Sequence, residues 1–167
     1  MDVNEYTQLI GAIVTNLQAL ESVLRYFSMG HKAKEVEFPK IGAAEATENA
    51  LTSYTFLDVL IDQFNNSLMP DEQDFKVDRQ VVEIRDAIAH GRLLASEQQP
   101  PFRLWNFGRM KKGRVPVEFC QELNEQWLTA TRNMIDSQKQ KVVDSLLLAA
   151  IKGCDNADQF AGKQSGT

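Results

Sequence analysis

Cysteine is scarce in this sequence of 167 residues, which contains only Cys120 and Cys154. Neither lies in a CxxC pair or beside a histidine cluster, so the pattern predicts neither a disulfide framework nor a zinc site. The sequence also lacks a glycine-rich phosphate loop, a GxSxG nucleophile elbow and an HExxH motif. These absences argue against kinases, serine-elbow hydrolases and zinc peptidases. We therefore expect no metal ion and no cofactor, so that side chains alone carry any chemistry.

Long apolar runs are absent as well, since none approaches the roughly 20 residues of a membrane-spanning helix. Residues 1–5 lack the basic and apolar regions of an export signal. The few cysteines fit a reducing compartment. We therefore expect a cytoplasmic protein that does not associate with a membrane.

Negative charge predominates, with a formal net charge of −5, but it is unevenly distributed. Residues 102–114 contain five basic residues and no acidic ones, which leaves −10 for the rest of the chain. The basic residues are Arg103, Arg109, Lys111, Lys112 and Arg114.

Aromatic residues, Trp105 among them, alternate with these cations, a combination typical of surfaces that bind single-stranded RNA. The alternative is an edge hairpin whose aromatics pack on the helices and whose cations keep the edge soluble. Burial of Trp105 distinguishes the two.

Apolar residues recur at steps of three and four in four segments, the spacing of an amphipathic helix. The first predicted helix covers residues 5–28 and ends near Gly30. The second covers residues 43–66, and a shorter third helix ends at Gly91. The last begins near residue 117 or 118 and continues to about residue 149, long enough to bend near Ser137. Residues 102–107 and 114–117 flank Lys112-Gly113 and predict a β-hairpin.

Together these segments predict a mainly α-helical protein, an up-and-down bundle of about four helices with a small β-hairpin insert before the last. We assign residues 1–152 to a single domain, with the insert at about residues 93–117, and expect residues 153–167 to form a disordered tail. Some apolar residues lie outside the main helical stripes, and together they have more apolar surface than the interior of one bundle can bury. This excess predicts a two-fold homodimer. These residues are Val14, Val23, Phe56 and Ile61.

The segment Arg85-Asp86-Ala87-Ile88-Ala89-His90 combines residues suited to phosphodiester chemistry near the end of the third helix. Histidine titrates near neutrality and moves protons, whereas the fixed donor fork of arginine suits a phosphate. Asp86 and His90 are four residues apart, on one helical face, so the carboxylate can pair with the imidazole and orient it. Arg85 and His90 are five apart and point about 140° apart around the axis. One helix therefore does not focus both side chains on one point.

A purely structural interpretation of the segment is also open. In that interpretation His90 is a cation near the helix C-terminus, where it pairs with Asp86 and complements the helix dipole. Arg85 is then a surface or interface residue. Neither side chain needs a substrate in this case.

At these residues the sequence resembles the HEPN superfamily, whose members share a helical bundle and a motif of an arginine, a polar residue, three further residues and a histidine. Arg85, Asp86 and His90 match that motif position by position. Two long predicted helices precede the motif helix and another follows it, so the resemblance covers most of residues 3–152. It implies a metal-independent endoribonuclease that attacks through the RNA's own 2′-hydroxyl, with a composite site formed by both protomers of a dimer. His90 would be the general acid and base, Arg85 the ligand of the phosphate and Asp86 the orienting residue.

Two functions follow as hypotheses. The first is a cytoplasmic HEPN-like dimer that acts on RNA in a defence or toxin–antitoxin system, with an antitoxin as protein partner. The second is a non-catalytic helical interaction module that binds a partner protein, a nucleotide or RNA through the same dimer face, since many members of the superfamily are catalytically silent. Convergence of Arg85 and His90 with their symmetry mates in an open cleft would favour the first.

Overall fold

The computed structural model describes residues 2–30, 42, 45–94 and 102–161. For residues 153–161 it describes the backbone only. Within these ranges the α-helices are α1 (Val3–Met29), α2 (Leu57–Ser67), α3 (Gln80–His90) and α4 (Glu125–Ala161). A 3₁₀ helix, Pro70–Phe75, separates α2 from α3. Three strands, β1 (Arg92–Leu94), β2 (Arg103–Phe107) and β3 (Val117–Glu122), lie between α3 and α4. The predicted fold, mainly helical with a small antiparallel sheet before the last helix, is confirmed.

Helix α1 follows its predicted apolar stripe closely. Ile13, Leu17, Leu20 and Leu24 are buried, and the helix ends one residue before Gly30, whose φ of +53° is a conformation that glycine adopts without a steric penalty. A three-to-four repeat needs only local geometry to place side chains on one face. The sequence alone is therefore sufficient for this element.

The second predicted helix is confirmed only from Leu57 onwards. Residues 45–56 form turns and irregular backbone, and residues 43 and 44 lie outside the described part. The Asn49 side chain accepts hydrogen bonds from the backbone N–H groups of Leu51 and Thr52, as in a turn that competes with helix formation. The Arg25 guanidinium donates to the carbonyls of Ala50, Ser53 and Thr55, at 3.2, 2.9 and 2.8 Å. A distant arginine thus satisfies carbonyls that a helix would have bonded internally.

The β-sheet is larger than the predicted hairpin. Its strand order is β1-β2-β3 and both pairs are antiparallel. The predicted hairpin corresponds to β2 and β3, whereas β1 comes from residues directly after the motif helix. A tight turn at the hairpin tip joins Lys111 to Arg114 by hydrogen bonds of 2.8 and 3.0 Å. Both central residues, Lys112 and Gly113, have positive φ, as a type I′ turn requires.

The predicted start of the last helix near residue 117 is wrong. Residues Val117–Glu122 pair with β2 as strand β3, and α4 begins at Glu125. The Asn124 side chain accepts a hydrogen bond of 2.9 Å from the Trp127 N–H, which satisfies one of the free donors of the first helical turn. The helix then runs without interruption through Ser137 to Ala161. It therefore includes part of the segment predicted as a tail, and residues 162–167 lie outside the described part.

The chain folds into two compact units. The first, Met1–Glu21 with Asp78–Gln138, contains the start of α1, α3, the sheet and the first part of α4. Its buried apolar residues are Tyr6, Ile13, Leu17, Leu20, Val81, Ile84, Ala87, Leu104, Leu123, Leu128 and Ile135. The second, Ser22–Val77 with Lys139–Thr167, buries Leu24, Leu57, Leu60, Ile61, Phe64, Val77 and Val142. Ile61, offered above as a dimer contact, is thus a core residue of its own chain.

Within the second unit, the Asn65 side chain holds the backbone of Val77 from both sides. Its amide donates to the Val77 carbonyl at 2.9 Å and its oxygen accepts from the Val77 N–H at 2.8 Å. Phe27 and Phe64 meet edge to face, with 5.0 Å between ring centroids. Among the helices described, none has an apolar stretch long enough to cross a bilayer.

Candidate functional site

The motif residues lie on the last two turns of α3. This helix buries Val81, Ile84 and Ala87 against the first unit, which leaves Arg85 at the border of the core. The Arg85 side chain is 26% exposed, and its Nη1 lies 3.0 Å from Oδ1 of Asp86. Its Nε is buried and has no hydrogen-bond partner among the described residues. Arg85 is therefore held from one side by Asp86 while one of its donors stays unused.

His90 is the last residue of α3 and is exposed to solvent. The predicted pairing of Asp86 with His90 is not present in the described structure, because the Asp86 carboxylate contacts Arg85 instead. Arg85 and His90 are not brought together either, in keeping with their angular separation of about 140° on one helix. Within one chain the motif therefore presents an imidazole and a guanidinium at two separate places.

Gly91 makes an abrupt junction between α3 and the sheet. Its N–H donates to the Ala87 carbonyl at 2.8 Å, and β1 begins with the next residue. A Cβ at this position would collide with the Ala87 carbonyl and would lie 2.8 Å from Cδ1 of Leu104. Only glycine permits this close approach of helix and strand. The junction therefore fixes His90 relative to the first residue of β1, Arg92.

The register of the strands separates the two faces of the sheet. Paired residues in antiparallel strands share a face, and successive residues alternate between faces. Leu93, Leu104 and Gln121 form one cross-strand row, and Leu104 is buried. Arg92, Trp105 and Cys120 form the adjacent row, which points away from the core. We call the side that carries Arg92 and Trp105 the outer face.

The outer face carries parallel aromatic rings. Trp105 and Phe107 are stacked, with 6.0 Å between ring centroids and 5° between ring planes. The Arg92 guanidinium carbon lies 5.6 Å from the centroid of Phe107, within the range of a cation–π contact. Trp105 is only half-buried, and its face is opposite to that of the core residue Leu104. This intermediate burial fits both a binding surface and an edge hairpin, so the RNA-binding interpretation stays a prediction.

The predicted basic residues are all exposed. Arg103 lies in β2 on the outer face, with its Nη2 at 3.8 Å from Oε2 of Glu122. Arg109, Lys111, Lys112 and Arg114 lie on the hairpin between β2 and β3. Lys112 has a φ of +51°, where glycine or asparagine is usual. The tight turn therefore places three cations, Lys111, Lys112 and Arg114, within four residues at the hairpin tip.

Sequence reasoning missed Arg92 and its cation–π contact with Phe107. Arg92 follows the motif by two residues, but no periodic pattern predicts a strand of three residues. A usable signal was present in Gly91, since a glycine after a helical histidine indicates a sharp change of direction. The contact of Arg92 with Phe107 depends on strand register, which the sequence does not state.

Tyr6 anchors the start of the sheet insert from α1. Its ring packs against Phe102, directly before β2, at 4.7 Å between centroids. The Tyr6 hydroxyl is buried and has no hydrogen-bond partner among the described residues, and this burial raises the pKa of Tyr6. The ring contact with Phe102 thus packs the start of the insert against α1.

The inner side of the sheet borders a partly open cavity of about 140 Å³. Apolar side chains and Gly91 line it, namely Ile10, Ile13, Ile88, Leu93, Leu104, Leu123, Trp127 and Leu128. No titratable side chain is among these lining residues. The described residues also contain no group of three or more His, Cys, Asp or Glu side chains that could hold a metal ion.

The groups that the sequence predicted for chemistry thus lie in two places in the first unit: His90, Arg85 and Asp86 on α3, and the aromatic and basic residues on the outer face and hairpin. Searches against protein-family models, curated proteins and solved structures find no match to this chain.

Proposed function

We propose that this protein binds RNA in the cytoplasm and cleaves it without a metal ion, as its resemblance to the HEPN superfamily implies. One observation carries the proposal. His90 is exposed at the end of α3, and Gly91 alone separates it from Arg92, the first residue of the outer face. An RNA strand on that face would therefore pass close to the end of α3, which carries the imidazole.

The reaction needs one proton acceptor and one ligand for the phosphate. His90 takes the proton of the 2′-hydroxyl as O2′ bonds to phosphorus. The bond from phosphorus to the 5′-oxygen breaks, and that oxygen takes up a proton from the imidazolium or from water. The products are a 2′,3′-cyclic phosphate and a free 5′-hydroxyl. Arg85 stabilises the negative charge on the phosphate with its planar donor fork.

The separation of Arg85 from His90 on α3 requires a second copy of the chain. In a two-fold dimer the arginine of one protomer can serve the histidine of the other, as the HEPN resemblance implies. About a quarter of the Arg85 side chain is exposed, and this exposed part of the guanidinium can contact a phosphate in such a site. We place this activity in a defence or toxin–antitoxin system, with an antitoxin protein as partner.

Incubation of the purified protein with end-labelled RNA in EDTA tests the proposal. We expect cleavage products that end in a 2′,3′-cyclic phosphate, and His90→Ala should lower the cleavage rate by about 10²-fold or more. Tyr54→Ala is the matched control, because Tyr54 is 97% exposed and belongs to the second unit. Full cleavage by folded His90→Ala protein would contradict the nuclease function.

A non-catalytic interaction module is the second candidate, and the contact between Arg85 and Asp86 favours it. That ion pair of 3.0 Å occupies the guanidinium without any substrate. If the motif is structural, substitution of Asp86 and of Arg85 should reduce stability by similar amounts, and no RNA should be cleaved. Thermal unfolding of both variants beside the cleavage assay distinguishes the two functions.

A further inference from the structure

The outer face combines three chemical features in a small area. Trp105 and Phe107 present parallel rings, Arg92 lies over the Phe107 ring, and Cys120 is paired directly opposite Trp105. All of these residues belong to the first unit. Because Arg92 covers the Phe107 ring, the aromatic surface left for a ligand is that of Trp105, with a cation close beside it.

Flat aromatic surface of this kind suits a nucleobase. Every base has a π face that stacks on an aromatic ring, and stacking does not depend on sequence. A base in a duplex is already stacked and paired, so it can reach a protein ring only after it has been unpaired. The ring geometry thus selects unpaired nucleotides over a double helix.

The charges near the face select a polyanion. Arg92 and Arg103 flank the rings along the strands, and the hairpin adds Arg109 and the three cations at its tip. Two acidic residues of β3 are close by: Glu122 pairs with Arg103 at 3.8 Å, and Glu118 lies beside Gly108. The six basic residues outnumber these two acids. An apolar protein partner would leave these exposed cations without counter-charges, whereas phosphates spaced along a strand would satisfy them.

We infer that the outer face binds single-stranded RNA, with bases stacked on Trp105 and phosphates held by Arg92 and the hairpin cations. The inference rests on the proposed function in taking RNA as the ligand, and it names the substrate class as unpaired segments. Because His90 lies two residues before Arg92, cleavage falls next to the bound single strand. Duplex RNA is then neither bound by stacking nor cut.

Binding is measured with His90→Ala protein, which keeps the RNA intact. The sequence contains two tryptophans, so Trp127→Phe leaves Trp105 as the only fluorophore of this type. We expect a short single-stranded RNA to quench Trp105 fluorescence and to slow alkylation of the exposed Cys120, identified by peptide mapping. Trp105→Ala should lower the affinity about tenfold, whereas Tyr54→Ala should leave it unchanged.

Equal affinity for a duplex of the same sequence would overturn the inference. Two results together would also overturn it: unchanged affinity in Trp105→Ala, and no protection of Cys120 by RNA in protein that keeps Trp105. The Cys120 measurement does not depend on whether the Trp105→Ala variant folds. Absence of any RNA binding at low salt would also overturn it and assign the face to a protein partner. If single strands bind as expected but the wild-type protein does not cut them, the catalytic proposal fails while this inference stands.

Discussion

Arg85 is the residue whose role depends most on the shape of its donor group. Arg85→Lys keeps the charge and permits the ion pair with Asp86, but an ammonium lacks the planar fork that holds a phosphate. We expect the cleavage rate to fall about 10²-fold, while Arg132→Lys, an arginine of α4 outside the motif, changes little. Asp86→Asn should cost less, because asparagine can still hydrogen-bond its neighbours. Wild-type rates in Arg85→Lys would remove Arg85 from the reaction.

Gly91 tests whether the helix–strand junction is as tight as described. Gly91→Ala places a Cβ against the Ala87 carbonyl and Leu104, so we expect the free energy of unfolding to fall by about 1–3 kcal/mol. Gly11 is the matched control, because a Cβ there meets nothing within 4 Å. Gly11→Ala should raise stability by up to about 1 kcal/mol. Urea unfolding measures both, and equal midpoints would contradict the close approach.

At the scale of elements, the hairpin between β2 and β3 should supply affinity without chemistry. Replacement of Lys111, Lys112 and Arg114 by glutamine removes up to three phosphate contacts but keeps the turn. The slope of log affinity against log salt should then fall in magnitude by about 2, since each contact to a single strand contributes about 0.7. The rate at saturating RNA should persist. Lys76→Gln is the control, because Lys76 is an exposed lysine of the second unit. An unchanged slope in the triple variant would mean that the hairpin cations keep the protein soluble and do not bind RNA.

At the scale of the whole molecule, the motif geometry predicts function as a dimer. In a mixture of Arg85→Ala and His90→Ala protomers, each heterodimer retains one intact composite centre, so we expect activity of about a quarter of wild type from random pairing. Each variant alone should be inactive. Light scattering on the wild-type protein accompanies the assay. A monomer at high micromolar concentration, or no recovery in the mixture, would exclude the composite site.

Local patterns were sufficient for the elements that depend only on neighbours along the chain. The three-to-four repeat predicted α1, because a helix places residues on one face by geometry alone. The hairpin at Lys112-Gly113 was also predicted, since a tight turn takes its conformation from two residues. The motif residues Arg85, Asp86 and His90 were visible as residue types at a fixed spacing, and this spacing already indicated that one helix would not bring Arg85 to His90.

Tertiary structure decided whatever depends on a distant partner. Residues 45–56 have helical spacing, yet Arg25 binds their carbonyls, and the free energy of those contacts depends on a residue some twenty-five positions away. Residues 117–122 form a strand because β2 pairs with them, which no helical period reveals. The ion pair of Asp86 with Arg85, rather than His90, and the placement of Arg92 on Phe107 arise in the same way. The helix or strand propensity of a single residue is weak, and hydrogen bonds and packing between remote segments outweigh it.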